Sequence, residues 1–313
     1  MDSLIYSLNV TTPIFLTMII GYILGKKGIL TESFNSAANK YIFKIALPAL
    51  LFVDMASTSI RDNFDVRYVL FCAVMTTVMF FSIWIGARIF IKEKSVIGSF
   101  VQASYRSSAA ILAVAFIRNI YGNAGMAPLM IIGCVPLFNI YAVAVLTVEG
   151  QNQEFTKNIK QALINIIKNP IIIAIVAGVA VSALDIKFGA VIDKTLNNLA
   201  VTATPIALLV TGAGFEGRKA LSKIGLTVWA TLIKLVIIPA VFIPAAVYMG
   251  FRNDALMTLI IMLASPTATI SYIMAKNMNN DAPFAASVIV LTTFLSALTI
   301  TFWVFLARYF GVV

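Results

Sequence analysis

The chain has 313 residues, of which 60% are hydrophobic and only 12% charged. A soluble domain carries about 25% charged residues, so this composition excludes a water-solvated globule. The formal charge is +10, but most cations lie in short loops between apolar blocks. That pattern marks loops retained in the cytoplasm and argues against a nucleic-acid partner.

The apolar residues come in blocks of about 20, long enough to cross a bilayer as helices. The blocks are continuous and rich in Leu, Ala, Met and Ile, without the alternation of a membrane barrel. Ten spans are predicted, near 4–25, 38–57, 67–90, 97–119, 126–148, 167–184, 196–213, 224–249, 255–275 and 284–309. The start, MDSLIYSLNV, has no basic n-region, so the first block is expected to be retained as a span. Cys72 and Cys134 each fall inside a block and read as packing residues rather than a disulfide. The longest polar stretch is 149–168, where Phe155, Ile159 and Leu163 recur at helical spacing opposite Lys157 and Lys160. It reads either as a helix lying at the cytoplasmic interface or as a solvated linker.

Pro13, Gly21 and Pro48 return as Pro170, Gly178 and Pro205, each 157 residues later, and Pro128 returns as Pro283 after 155. The chain thus reads as two copies of one unit. Residues 1–148 form the first five-helix repeat, 149–166 a cytoplasmic linker and 167–313 the second repeat. With the N-terminus outside, the inside loops hold thirteen cations and the outside loops seven; three more of the 23 fall within spans. This bias predicts both termini outside. Five spans is an odd number, so the second copy must insert upside down. The expected fold is an all-α polytopic membrane protein of ten transmembrane helices in two inverted repeats.

An ionisable residue at membrane depth costs at least about 2.5–3.5 kcal/mol and is a functional candidate by default. Arg106 lies near the middle of span four and Lys234 near the middle of span eight. Lys44 is nearer its span's cytoplasmic end and can snorkel, and Asp54 is the one acid within a span. The interior is therefore net cationic, which favours anions. In LASPTATISYIMA, 263–275, Pro266 removes a backbone hydrogen bond and clashes with the carbonyl of residue 262. The hydroxyls of Ser265, Thr267, Thr269 and Ser271 are expected to serve the freed groups. Span four is also polar at mid-depth, through Arg106, Ser107 and Ser108. Two polar interruptions in corresponding spans point to a substrate site. Asn139, in span five, joins the candidates, as do Thr292, Thr293 and Ser296 in span ten. Packing is the default role for each alone. The expected substrate-binding set is Arg106, Ser107, Ser108, Asn139, Ser265, Pro266, Thr267, Thr269 and Lys234.

The stretches IALPALLF at 45–52, KNPIIIAIVAG at 168–178, ATPIALLVTGAGF at 203–215 and PTATISYIMA at 266–275 carry a resemblance. So does ASVIVLTTFLSALTITFWVFL at 286–306. Together they resemble the auxin efflux carrier family, whose bacterial members include malonate and malate permeases. The resemblance implies broken fourth and ninth helices that cross near the midplane. It also implies a scaffold of helices one, two, six and seven beside a moving transport domain, and a possible homodimer. The chain departs from the family's Arg-x-Asn and Gly-x-Pro in span four. Arg106 is present, but Ser108 replaces Asn, and Ala113 and Ala115 replace Gly and Pro. Alanine favours a continuous helix, so for span four a continuous helix and a broken one both stay open.

The expected function is a secondary carrier moving a small organic anion, a carboxylate, across the cell membrane by alternating access. A sodium-coupled symporter of the bile-acid type on the same architecture is the alternative. No G-x-x-x-x-G-K-[ST] occurs, so movement must draw on a gradient or the membrane potential. No cofactor is expected; sodium and proton coupling both stay open. With no histidine in the chain, an intramembrane enzyme lacks the commonest base and metal ligand. A ligand sensor would append a soluble domain, and no loop exceeds about 20 residues.

Overall fold

The computed structural model describes residues 2–57, 65–108, 125–150, 167–215 and 223–313, with residues 117, 121 and 164. Side chains are described from Thr12 onward. The helices are α1 (Asp2–Lys26), α2 (Glu32–Ala56), α3 (Val66–Phe90), α4 (Lys94–Tyr105), α5 (Ala127–Val148) and α6 (Pro170–Ala183). They continue with α7 (Ala190–Ala213), α8 (Ile224–Tyr248), α9 (Asn253–Ala264), α10 (Ile270–Asn277) and α11 (Ala282–Tyr309). Among the described residues six helices are long and apolar enough to cross a membrane: α2, α3, α5, α7, α8 and α11. Helices α6 and α9 and the Thr12–Lys26 part of α1 are shorter and apolar. The ninth predicted block falls on two helices, α9 and α10. Helix α7 starts at Ala190, ahead of the predicted 196, because its first turns are amphipathic, with Asp193, Lys194 and Asn197 exposed. The helical spacing predicted for 155–163, and Ala113 and Ala115, lie outside the described residues.

Burial sorts the helices into an outer and an inner set. Leu70, Val74, Val78, Phe81, Ile85 and Ile89 form an exposed apolar stripe on α3. Phe294, Leu298, Phe302 and Phe305 form another on α11. In water such stripes would be a liability; in lipid they are the solvated face. By contrast Val96–Tyr105 of α4 and Leu256–Ala264 of α9 are buried without interruption. A helix buried all round lies inside the bundle.

Two helices carry a π turn immediately before a proline. In α2 it spans Ile42–Ala46, closed by Leu47 N–H to Ile42 O and followed by Pro48. In α8 it spans Ile233–Ile237, closed by Ile238 N–H to Ile233 O and followed by Pro239. Proline cannot donate to residue i−4 and its ring clashes with that carbonyl; a widened turn relieves the crowding. The carbonyl that Pro239 leaves without its helical partner, Leu235 O, accepts from Trp303 Nε1 at 3.0 Å.

Helix α1 packs along Ala203–Ala213 of α7, and α6 along Leu47–Ala56 of α2. Both contacts depend on glycine. A Cβ on Gly21 would stand 2.2 Å from Leu209 O, and one on Gly178 would stand 2.7 Å from Phe52 O. Gly178 follows Gly21 by 157 residues, and Leu209 follows Phe52 by the same 157. Helix α3 packs on α4 and α5, and α8 on α9 and α11. At the start of α8, Lys223 Nζ bonds Asp281 Oδ2 at 2.7 Å and also Glu93. Asp281 caps α11 through Phe284 N–H, and Glu93 precedes α4. One ammonium therefore ties the ends of three helices.

Candidate functional site: the crossing of two interrupted helices

Helix α4 stops at Tyr105, and Arg106 is extended at φ −75°, ψ 124°. Helix α9 stops at Ala264, and Ser265 is extended at φ −64°, ψ 152°. The two extended segments meet antiparallel, with Ser107 opposite Thr267. Ser108 N–H donates to Pro266 O at 3.0 Å, and Ala268 N–H to Arg106 O at 3.4 Å. Span four is thus interrupted before its alanines are reached. A continuous helix would keep its own bonds; here the facing break supplies replacement partners, so interruption loses little.

The carbonyls released at the two ends are capped across the crossing. Met262 O, which Pro266 cannot reach, accepts from Ser107 Oγ. Ala103 O accepts from Thr267 Oγ1 at 2.7 Å. Leu263 O accepts from Lys234 Nζ at 2.7 Å, and Thr267 N–H donates to Thr292 Oγ1 at 3.1 Å. The expectation that hydroxyls of 265–271 serve the groups freed by Pro266 needs correction. Ser265 Oγ bonds Ile261 O within its own helix, and Thr267 serves the other helix. The freed carbonyls are reached by Ser107 and Lys234, which come from different elements and approach from outside the α9 turn.

Arg106 is 4% exposed and Lys234 1%, and these are the buried charged side chains among the described residues. Arg106 Nη2 donates to Asn139 Oδ1 at 2.6 Å, and Asn139 Nδ2 is held by Val135 O at 2.8 Å. Arg106 Nη1 points to Met274 Sδ, as does Gln102 Nε2 at 3.4 Å. Among the described residues no carboxylate lies within ion-pair distance of either cation. The neighbouring Tyr105 is fixed by its hydroxyl to Phe138 O at 2.9 Å and by ring contacts with Phe80 and Phe138. The end of α4 is therefore rigidly placed. A buried cation with neutral partners attracts an anion strongly, because little water is present to screen it.

The crossing brings Arg106, Ser107, Ser108, Pro266 and Thr267 together, and Asn139 joins through Arg106. Lys234 meets the crossing at the end of α9. Thr269 stands just ahead of α10 and is buried.

Residues 7–304 match the family described as Membrane transport protein. The chain belongs to this family, the auxin efflux carriers. It is similar to the "Uncharacterized transporter YfdV" of Escherichia coli K12, with 23% identity over 95% of this chain and 96% of that protein. It is also similar to the "Putative malonate transporter" of Rhizobium meliloti, with 24% identity over 86% of each chain. The "Uncharacterized transporter MJ1031" of Methanocaldococcus jannaschii is 20% identical over 95% of this chain and 97% of its own. The protein is a multi-pass membrane transporter.

Sequence reasoning missed two residues of this transporter's crossing. Gln102 precedes Arg106 by four positions, the spacing that places two side chains on one helix face, and that signal was available. Met274 gave none, because a methionine in an apolar helix looks like any other packing residue.

Proposed function

We propose that the protein is a secondary carrier for a small organic anion, a short carboxylate, moved by alternating access. The observation that carries this reading is Arg106: buried at the crossing, held by neutral groups and, among the described residues, without a carboxylate partner. Its remaining donors suit a carboxylate, with charge-assisted hydrogen bonds. Asn139 holds the guanidinium, Ser107, Ser108 and Thr267 add polar groups at the same crossing, and Thr269 follows it ahead of α10. Ser265 and Pro266 set the turn, and Lys234 adds positive charge at the end of α9.

Several features support two inverted repeats, 1–148 and 167–313, joined by a linker at 149–166. The Gly21–Leu209 and Gly178–Phe52 contacts are related by one shift of 157 residues. Helices α4 and α9 have 12 residues each and end in extended segments that run antiparallel. On this reading α1, α2, α6 and α7 are the scaffold against which the other helices move, and both termini face outward.

The test is malonate uptake into proteoliposomes, with and without sodium. The malonate name of one relative makes it the first substrate to try. Arg106→Gln should lower malonate affinity by roughly ten- to hundredfold while the protein stays folded by size-exclusion chromatography. Undiminished uptake by that variant overturns the assignment. Sodium-dependent uptake would favour the symporter reading instead.

A further inference from the structure

Two donors converge on one weak acceptor beside the crossing. Arg106 Nη1 and Gln102 Nε2 both reach Met274 Sδ. A thioether sulfur is a poor hydrogen-bond acceptor, whereas a guanidinium and a carboxamide pointed at one spot suit an oxygen of a carboxylate. Gln102 is fully buried, yet its Oε1 has no partner. Ser271, one turn before Met274 on α10, is also fully buried with an unpartnered Oγ. Buried polar atoms are nearly always bonded; of these two, Ser271 Oγ can donate to an anion, while Gln102 Oε1 can only accept. The surroundings of Met274 are thus polar and under-bonded.

We infer that Met274 is a built-in occupant of the anion site, and that Gln102 is a further anion-binding residue. The sulfur stands where a carboxylate oxygen of the substrate sits. When substrate arrives, the flexible Met274 side chain swings away and that oxygen accepts from Arg106 and Gln102 together. Helix α10 packs against α2 and α7 as well as α4, so displacing Met274 alters contacts between the crossing and those helices. The inference rests on the anion-carrier reading and adds to it a residue that competes with substrate.

The experiment is isothermal titration of malonate into the purified full-length protein. Met274→Leu keeps the volume and removes the acceptor, and should bind malonate roughly three- to tenfold more tightly. Met274→Ala should also bind more tightly even if its melting temperature falls, because a cavity destabilises the fold without restoring a competitor. Gln102→Leu should weaken binding by a similar factor. A purely structural methionine predicts unchanged or weaker binding in both Met274 variants. That result, with Arg106→Gln still losing affinity, overturns the occupant and leaves the carrier reading intact. Equal malonate affinity in wild type and Arg106→Gln overturns the carrier reading, and the occupant with it. Absence of malonate binding in every protein tested overturns both.

Discussion

Lys223 shows how a single cation can serve structure without being part of a pathway. Partial burial works to lower its pKa, but bonds to Asp281 and Glu93 overcome this and raise it above the ordinary 10.5. A lysine stabilised in this way contributes to folding below the ordinary value, and the contribution is lost as pH rises through the raised one. Lys223→Met should therefore lower the melting temperature by about 2 °C at neutral pH. The difference from wild type should close as pH is taken above 10.5. A constant difference across that range would show that packing, not charge, is responsible. Sequence reading grouped Lys223 with the loop cations and found Arg106 and Lys234 from their depth alone. It did not find their partners. Asn139 is 33 positions from Arg106, and Leu263 is 29 from Lys234. Such separations carry no local signal.

At the scale of elements, hydropathy located α2, α3, α5, α7, α8 and α11 because lipid-facing helices must be apolar along most of their length. It misplaced the start of α7, whose first turns are amphipathic. Pro266 announced the break between α9 and α10, since proline acts on its own backbone. No such residue stands at Arg106, and α4 ends there because the opposite break offers bonds. Close helix contacts were visible only as repeated glycines. Gly21→Ala and Gly178→Ala would each push a methyl group into a backbone carbonyl that cannot yield. Each should destabilise the protein by about 1–3 kcal/mol. Gly86, in α3, has nothing within 4 Å of its would-be Cβ, so Gly86→Ala should hold or raise stability. Fluorescence-detected thermal melts in detergent compare the three, and equal melting of all of them would contradict the contact geometry.

For the whole molecule, the charge bias and the repeat make a joint prediction about sidedness. Cysteines placed at Lys27 and Lys276 should be labelled from the cytoplasm, and those at Lys187 and Arg252 from outside. All four positions are exposed, and the native Cys72 and Cys134 are buried and free. Cytoplasmic labelling at Lys187 together with Lys27 would break the inverted arrangement.

Composition and hydropathy were enough to determine a helical membrane protein with cations at depth, and the 157-residue repeat was enough to propose two related halves. Each of those signals is local or periodic, and a chain in lipid has few other ways to satisfy its backbone. Tertiary structure alone decided how the helix ends are satisfied. The hydroxyls of Ser107 and Thr267 cap each other's helices, Lys234 takes a carbonyl released near Pro266, and Met274 lies against the donors of Arg106. Those pairings join residues far apart in the chain, and they follow from where the helices cross, which no single stretch of sequence records.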